Sequence, residues 1–345
     1  MTLAIAFAAV AAAAFSYVAG RYCVIPLLQR YGVLDHPTAR SSHGAPVARG
    51  GGIAVYAGLV VGSAVALMVL RFEGPDLSSA SVLGTALLPV VAGGLFGLVG
   101  LVDDLNSLSA TSRLVVQLVL ASAFAAVIGA ITGVGALAAV AIGLSIILVV
   151  NGTNFMDGLN SLVSAWGAVS ALWFGVLALT VDSGSLALSM IALASALIGF
   201  LPLNVSPARS FLGDVGSYAI GGSLGVAAWV LWTDGATLIS VSAPFIVPMY
   251  DVLFTLGRRV HRGENIFTAH RTHVYQKLQI AGLRHEQVSA VHLVAVILCL
   301  AAALPSVMGT GRIAVPVAFA IWVPILALYT ALPMVARRLG AVVAE

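Results

Sequence analysis

The sequence predicts an all-α, polytopic integral membrane protein with eleven transmembrane helices, or ten if the short runs at 134–150 and 217–232 do not each cross. Composition is the first reason: 60% of the 345 residues are hydrophobic, only 8% are charged, and mean hydropathy is +1.07. Soluble globular chains carry about 25% charged residues. Patterning is the second reason, because the apolar residues fall into runs of the roughly 17–25 residues that a bilayer crossing requires. The third is the segregation of Lys and Arg onto alternate connections.

Taken in order, the runs lie near 2–19, 51–70, 83–101, 114–132, 134–150, 161–180, 186–203, 217–232, 237–256, 287–305 and 314–334. The first has no basic segment ahead of it and no convincing cleavage site, so it reads as a retained span rather than a signal peptide. Cys23 and Cys299 lie in or beside apolar runs with no metal-type spacing, and neither a disulfide nor a zinc site is expected. One set of connections is short and nearly free of cations: 71–82, 133, 181–185, 233–236 and 306–313. The other set, 20–50, 102–113, 151–160, 204–216, 257–286 and the tail from 335, holds 14 of the 16 Lys and Arg residues. Positive charge marks the cytoplasmic side. The expected topology therefore has the N-terminus outside, the C-terminus in the cytoplasm, and an odd number of spans. The whole chain, 1–345, reads as one transmembrane domain whose active site is built from the five long cytoplasmic loops.

Five constellations lie on that face. Asp103 and Asp104 end the third span as adjacent carboxylates, whose repulsion near a low-dielectric boundary calls for a cation or a proton. Arg113 and Gln117, one to two turns into the fourth span, are placed to meet that pair or an anionic ligand. Asn151, Asn154 and Asp157 recur every three residues, which keeps them on one helix face within about 120° of arc. Asp214 lies between Gly213 and Gly216 at the start of the eighth span, where glycines permit close approach and free helix N–H groups favour an anion. The loop from Arg258 to Lys277 is dense in cations and imidazoles, including His270, Arg271 and His273, and suits phosphate oxygens. Arg40 to Gly52, with His43, Arg49 and three consecutive glycines, makes a loop able to wrap a ligand.

Acid clusters that take Mg²⁺ do so together with substrate phosphates. Acids, amides, imidazoles and arginines at one membrane face therefore point to phosphoryl chemistry between a soluble phosphorylated donor and a membrane-embedded acceptor. An anion or proton-coupled transporter is the competing class, but transporters place their charges near the bilayer midplane. Asp251, about a turn and a half inside the ninth span, is the acid that stands apart.

The set Asp103-Asp104, Asn151-xx-Asn154-xx-Asp157-Gly158, Phe211-Leu-Gly-Asp214-Val-Gly-Ser217 and His270-xx-His273 resembles the polyprenyl-phosphate N-acetylhexosamine-1-phosphate transferase family. The match runs in order from Pro37 to Lys277. It is closer to the O-antigen-initiating branch than to the phospho-N-acetylmuramoyl-pentapeptide transferases of peptidoglycan synthesis. The resemblance implies transfer of a sugar 1-phosphate from a UDP-N-acetylhexosamine to undecaprenyl phosphate, with release of UMP. N-acetylglucosamine and 6-deoxy relatives such as N-acetylfucosamine or N-acetylquinovosamine are the candidate sugars.

By the same resemblance the cofactor is Mg²⁺, or Mn²⁺ in its place, held by Asp214 with Asp103 and Asp104 close by. Asp103, Asp104, Asp157, His270 and His273 are the expected catalytic residues. Asn151, Asn154, Gly158, Leu159, Asn160, Phe211, Arg271, His43, Arg49 and Arg113 are the expected substrate-binding residues; Gly158 and Asn160, with Asp157, would border the uridine, Phe211 would stack on uracil, and His270 and His273 would contact the diphosphate or the sugar. The partners implied are the two substrates, the lipid bilayer and a second copy in a homodimer, with no nucleic acid; the site is the bacterial inner membrane. Three positions depart from the family pattern: Thr272 replaces an imidazole, Asn160 stands where other members have Asp, and Ala269 stands where an acid often precedes the first histidine.

Overall fold

The computed structural model describes residues 1–37, 45–73, 80–265, 271–309 and 313–343. Among these, eleven helical segments are long and apolar enough to cross a membrane. The first joins α1 (Thr2–Ala19) to α2 (Ile25–Arg30) through a π-helical turn at Gly20–Val24. Single spans follow: α3 (Gly52–Glu73), α4 (Ala80–Asn106), α5 (Ala110–Thr132), α6 (Ala136–Met156), α7 (Leu162–Thr180), α8 (Gly184–Asn204) and α9 (Gly213–Thr233). The ninth span joins α10 (Leu238–Ser242) to α11 (Ile246–His261) through a 3₁₀ turn. A short α12 (Val274–Ile280) precedes the last two spans, α13 (His285–Val307) and α14 (Ala314–Val343).

Most of these helices outrun their apolar runs, and the largest overruns fall at the polar end. The third helix continues from 101 to Asn106, the fifth from 150 to Met156 and the ninth span from 256 to His261, while the eighth begins at Gly213 rather than 217. A helix satisfies its own backbone and need not stop where the hydrocarbon does. Asp103, Asp104, Asn151, Asn154 and Asp214 are therefore helical residues rather than loop residues. Only Asp157 sits just beyond, as the C-cap of α6.

The same face carries a three-stranded sheet that the hydropathy pattern does not announce. It is formed by β1 (Leu34–Asp35), β2 (Val47–Arg49) and β3 (Ser210–Phe211). β2 lies antiparallel to β1 and parallel to β3, with Arg49 level with Phe211. Beyond the sheet the contact continues: Gly51 N–H donates to the Phe211 carbonyl at 2.8 Å and Gly52 N–H to the Leu212 carbonyl at 2.9 Å. The chain just after Arg49 is thereby laid against the start of α9.

α9 is the most deeply enclosed of the eleven spans, and α3, α4 and α6 all pack on it. Small residues allow that closeness. A Cβ on Gly100 would fall 2.1 Å from the Asp214 carbonyl oxygen, and one on Gly52 would fall 2.1 Å from the Gly216 Cα. Both obstacles are backbone. Gly100→Ala should therefore lower thermal stability of the purified protein by about 1–3 kcal/mol, as overpacking does. Gly84→Ala, in the same helix with nothing within 4 Å of the added carbon, serves as the control. It should be neutral or stabilising, since Ala favours a helix over Gly. A Gly100→Ala melting temperature equal to that of wild type would contradict this account of the α4–α9 contact.

Candidate active site

The α4–α9 approach brings three of the predicted acids together. Asp104 turns both carboxylate oxygens to the N-terminus of α9, accepting the Asp214 N–H on Oδ1 at 3.1 Å and the Val215 N–H on Oδ2 at 3.0 Å. A negative group on the first unpaired amides of a helix is favoured by both hydrogen bonding and the helix dipole. Arg49 Nε closes on Asp104 Oδ1 at 2.7 Å, and its Nη2 donates to Asp214 Oδ2 at 3.0 Å. From the other side Arg113 Nη1 lies 2.6 Å from Asp103 Oδ2 and 3.9 Å from Asp214 Oδ2. Asp103 Oδ1 also accepts the Leu108 N–H at 2.7 Å, which fixes the turn after α4.

The amides of α6 complete the wall. Asn154 Nδ2 donates to Asp214 Oδ1 at 2.8 Å and to Ser217 Oγ at 3.1 Å. Asn151, one turn deeper, donates to Gln117 Oε1 at 2.7 Å, so it touches α5 rather than the acids. Arg49, Asp103, Asp104, Arg113, Asn154 and Asp214 thus form one connected cluster. Burial works against the charge on Arg49, but the surrounding carboxylates, Asp214 first and then Asp104, more than offset it and raise its pKa.

Among the acids expected at the site, Asp157 is the one whose side chain makes no hydrogen bond to the described residues. The residue is half-buried. Burial raises its pKa well above the usual carboxylate range, the negative charges of Asp214 and Asp104 add to the effect, and Arg49 opposes them.

The remaining predicted residues occupy several settings. Gly158 is exposed, whereas Leu159 and Asn160 are buried. The Asn160 backbone is tied to α13, its N–H donating to His285 Nδ1 at 3.3 Å and its carbonyl accepting from Ser289 Oγ at 3.1 Å. Phe211 is half-buried on β3 beside Arg49. Arg271 donates to Gln279 Oε1 at 2.6 Å, away from the acid cluster. His273 is buried against Asp251, with its ring stacked on Phe155 at 6.2 Å and on Tyr275 at 5.7 Å. His43 and His270 lie outside the described residues. The sequence reading missed the role of Asp251, whose one visible signal was an acid inside an apolar run.

The cluster suits a hard divalent cation in its chemistry. Its donors are oxygens, three carboxylates face two guanidinium groups, and Arg113 already occupies a place where Asp103 and Asp214 share one positive group. Among the described residues no group of three His, Cys, Asp or Glu side chains converges closely enough to hold a metal by itself. Mg²⁺ commonly takes one or two carboxylates and completes its shell with substrate phosphates and water. Asp214 and Asp103 fit that requirement, while Asp104 is committed to the α9 amides.

Residues 85–232 match the model for Glycosyl transferase family 4, a stretch that carries Asp103, Asp104, Asn154, Asp157 and Asp214. The decaprenyl-phosphate N-acetylglucosaminephosphotransferase of Mycolicibacterium smegmatis is 31% identical over 89% of this chain and 83% of its own. The probable undecaprenyl-phosphate N-acetylglucosaminyl 1-phosphate transferase of Bacillus subtilis is 28% identical over 76% of this chain and 75% of its own. A phospho-N-acetylmuramoyl-pentapeptide-transferase of Desulforudis audaxviator is 30% identical over 69% and 81%. Identity of 31% sustained along most of both chains makes this multi-pass membrane protein a member of glycosyl transferase family 4.

Proposed function

We propose that the protein transfers N-acetylglucosamine 1-phosphate from its UDP derivative to a polyprenyl phosphate of the undecaprenyl type, releasing UMP at the cytoplasmic face. The observation that carries this reading is the cluster of Asp103, Asp104 and Asp214 clamped by Arg49 and Arg113 at one end of the bundle. The names of the relatives support the sugar and the lipid. The charge asymmetry of the loops supports the cytoplasmic placement.

Both reactants are phosphates. The lipid phosphate is already largely dianionic near neutral pH, its second pKa being about 6, so little base assistance is needed. One of its oxygens attacks the sugar-bearing phosphorus, a new P–O bond forms, and the bond to the bridging oxygen breaks, with the electron pair leaving on UMP. Repulsion between anions and charge on the leaving group dominate the barrier. The guanidinium groups of Arg49 and Arg113 offset both when they exchange carboxylate for phosphate oxygens. Mg²⁺, held by Asp214 and Asp103, supplies further neutralisation of phosphate charge when bound.

Asp104 has both oxygens engaged by the α9 amides and Arg49, which favours direct attack by the lipid phosphate over a phospho-aspartyl intermediate on that residue. The half-buried ring of Phe211 and the exposed Gly158 are our candidates for the uridine contact.

Purified protein should release UMP from UDP-N-acetylglucosamine only when polyprenyl phosphate and Mg²⁺ are both present. Asp214→Asn should reduce that rate by at least about a hundredfold, as loss of a key electrostatic group does. Full activity in Asp103→Asn, Asp157→Asn and Asp214→Asn together would sink the shared-site reading. Labelled UMP should not exchange into the UDP-sugar without lipid acceptor; exchange would instead indicate a covalent intermediate.

The Asp157 shift also fixes a sign for stability. Its folded-state pKa is raised, so the folded protein holds the proton more tightly than the unfolded chain. Stability then falls as pH rises from about 4, the unfolded carboxylate value, through the raised folded one. Asp157→Asn, which cannot ionise, should melt higher than wild type above that window and lose the difference below it. A melting-temperature gap independent of pH would contradict the shift.

A further inference from the structure

The cluster around Asp251 is the deepest polar assembly outside the acid site, and the proposed reaction has given it no part. Asp251 is fully buried on α11 and uses both oxygens. Oδ1 accepts the Val274 N–H at 2.8 Å and Thr255 Oγ1–H at 3.3 Å, and it meets His273 Nδ1 at 3.3 Å. Oδ2 accepts the Tyr275 N–H at 3.1 Å and Tyr329 Oη–H at 3.1 Å. The Tyr329 hydroxyl in turn meets His292 Nδ1 at 3.2 Å. One carboxylate therefore gathers α11, the start of α12, and α14, with α13 one bond further on.

The chemistry of these contacts decides the state of His273. A carboxylate oxygen that already accepts from a backbone amide and a hydroxyl can only accept again, so His273 Nδ1 must carry a proton and donate it. In the neutral ring the lone pair then resides on Nε2. The ring cannot turn over without losing that bond, and it is confined between Phe155 and Tyr275. Tyr275 adds a tether by donating its hydroxyl to the Phe155 carbonyl at 2.9 Å. Phe155 follows Asn154, which holds Asp214, and precedes Asp157 by two residues. The buried carboxylate and the acid cluster are thus joined through the last turn of α6.

We infer that Asp251 is a positioning residue for the transfer reaction, fixing His273 as the Nδ1–H tautomer and docking α12 against the end of α6, whose last turn carries Asn154. This rests on the proposed transferase reading for its kinetic consequence but not for the tautomer itself. Asp251 contacts no substrate in this role and acts through His273.

Two measurements on the full-length protein test it. In protein labelled with ¹⁵N-histidine, the resonances of His273 are assigned by their loss in His273→Gln. Wild type should show a protonated, pyrrole-type Nδ1 and an unprotonated, pyridine-type Nε2, and Tyr329→Phe should preserve that pattern. A wild-type His273 protonated on Nε2 alone would overturn the inference without any variant having to fold. In kinetics of UMP release, Asp251→Asn should lower kcat on the order of a hundredfold, the range of a misplaced acid–base or electrophilic group, with the KM for the UDP-sugar nearly unchanged. Adding Asp251→Asn to His273→Gln should cost little more, because both changes remove the same function. Fully additive losses, or a loss confined to KM, would overturn the positioning role. If wild type releases no UMP under any condition, the transferase reading fails and the ¹⁵N spectrum still decides the Asp251–His273 pairing.

Discussion

Everything at the polar end of this protein depends on Asp104 meeting the first amides of α9. That carboxylate is almost completely buried, with 1% of its side chain exposed, and a buried unpaired charge would be untenable there. Two backbone N–H groups and the Arg49 guanidinium satisfy it. Hydrogen bonds to a charged group each contribute roughly 1.5–3 kcal/mol, and here they do more than hold two helices together. They set the depth of α4 against α9, which places Asp103 and Asp214 on either side of Arg113. They also require Arg49 at one position, which the small sheet provides by holding β2 level with β3. The absence of a side chain at Gly100 is a condition of the same contact.

The two buried acid centres share a construction and differ in exposure. Asp104 and Asp251 are each saturated by backbone amides at the start of a helix, and each has a cationic or ionisable side chain as a further partner. Both are anchors. Asp214 and Asp103 lie beside the first anchor and share Arg113, as groups that exchange partners during a phosphoryl transfer should. An enzyme that handles three anionic phosphates needs cations whose partners can be traded. Arg113, shared between two carboxylates at 2.6 and 3.9 Å, is held in that way.

The spans were legible because lipid admits few alternatives: an uncharged run of bilayer length forms a helix. Their polar ends were not, because hydropathy reports the solvent and not the hydrogen bonding of the last turns. Asp103, Asn154 and Asp214 could be read as a site from residue type and spacing, yet the pairing of Arg49 with two acids far along the chain could not. It arises from strands of two and three residues, too short to leave any alternation in the sequence. His273 was singled out by motif, while its tie to Asp251 required the path of α12 across α11. Asn160, singled out as a departure from the family, is held by its backbone against α13, and its side chain carries no hydrogen bond among the described residues.

α9 combines two properties that pull apart during biogenesis. It is the most enclosed of the eleven spans and also the least apolar. Glycine and serine along it let α3, α4 and α6 approach, but the same residues weaken its partition into lipid when it emerges alone. The helices that shelter it, α3, α4 and α6, all precede it in the chain. Synthesis order therefore places this weakly apolar helix after the helices that shelter it, so its predecessors are already made when it meets the bilayer.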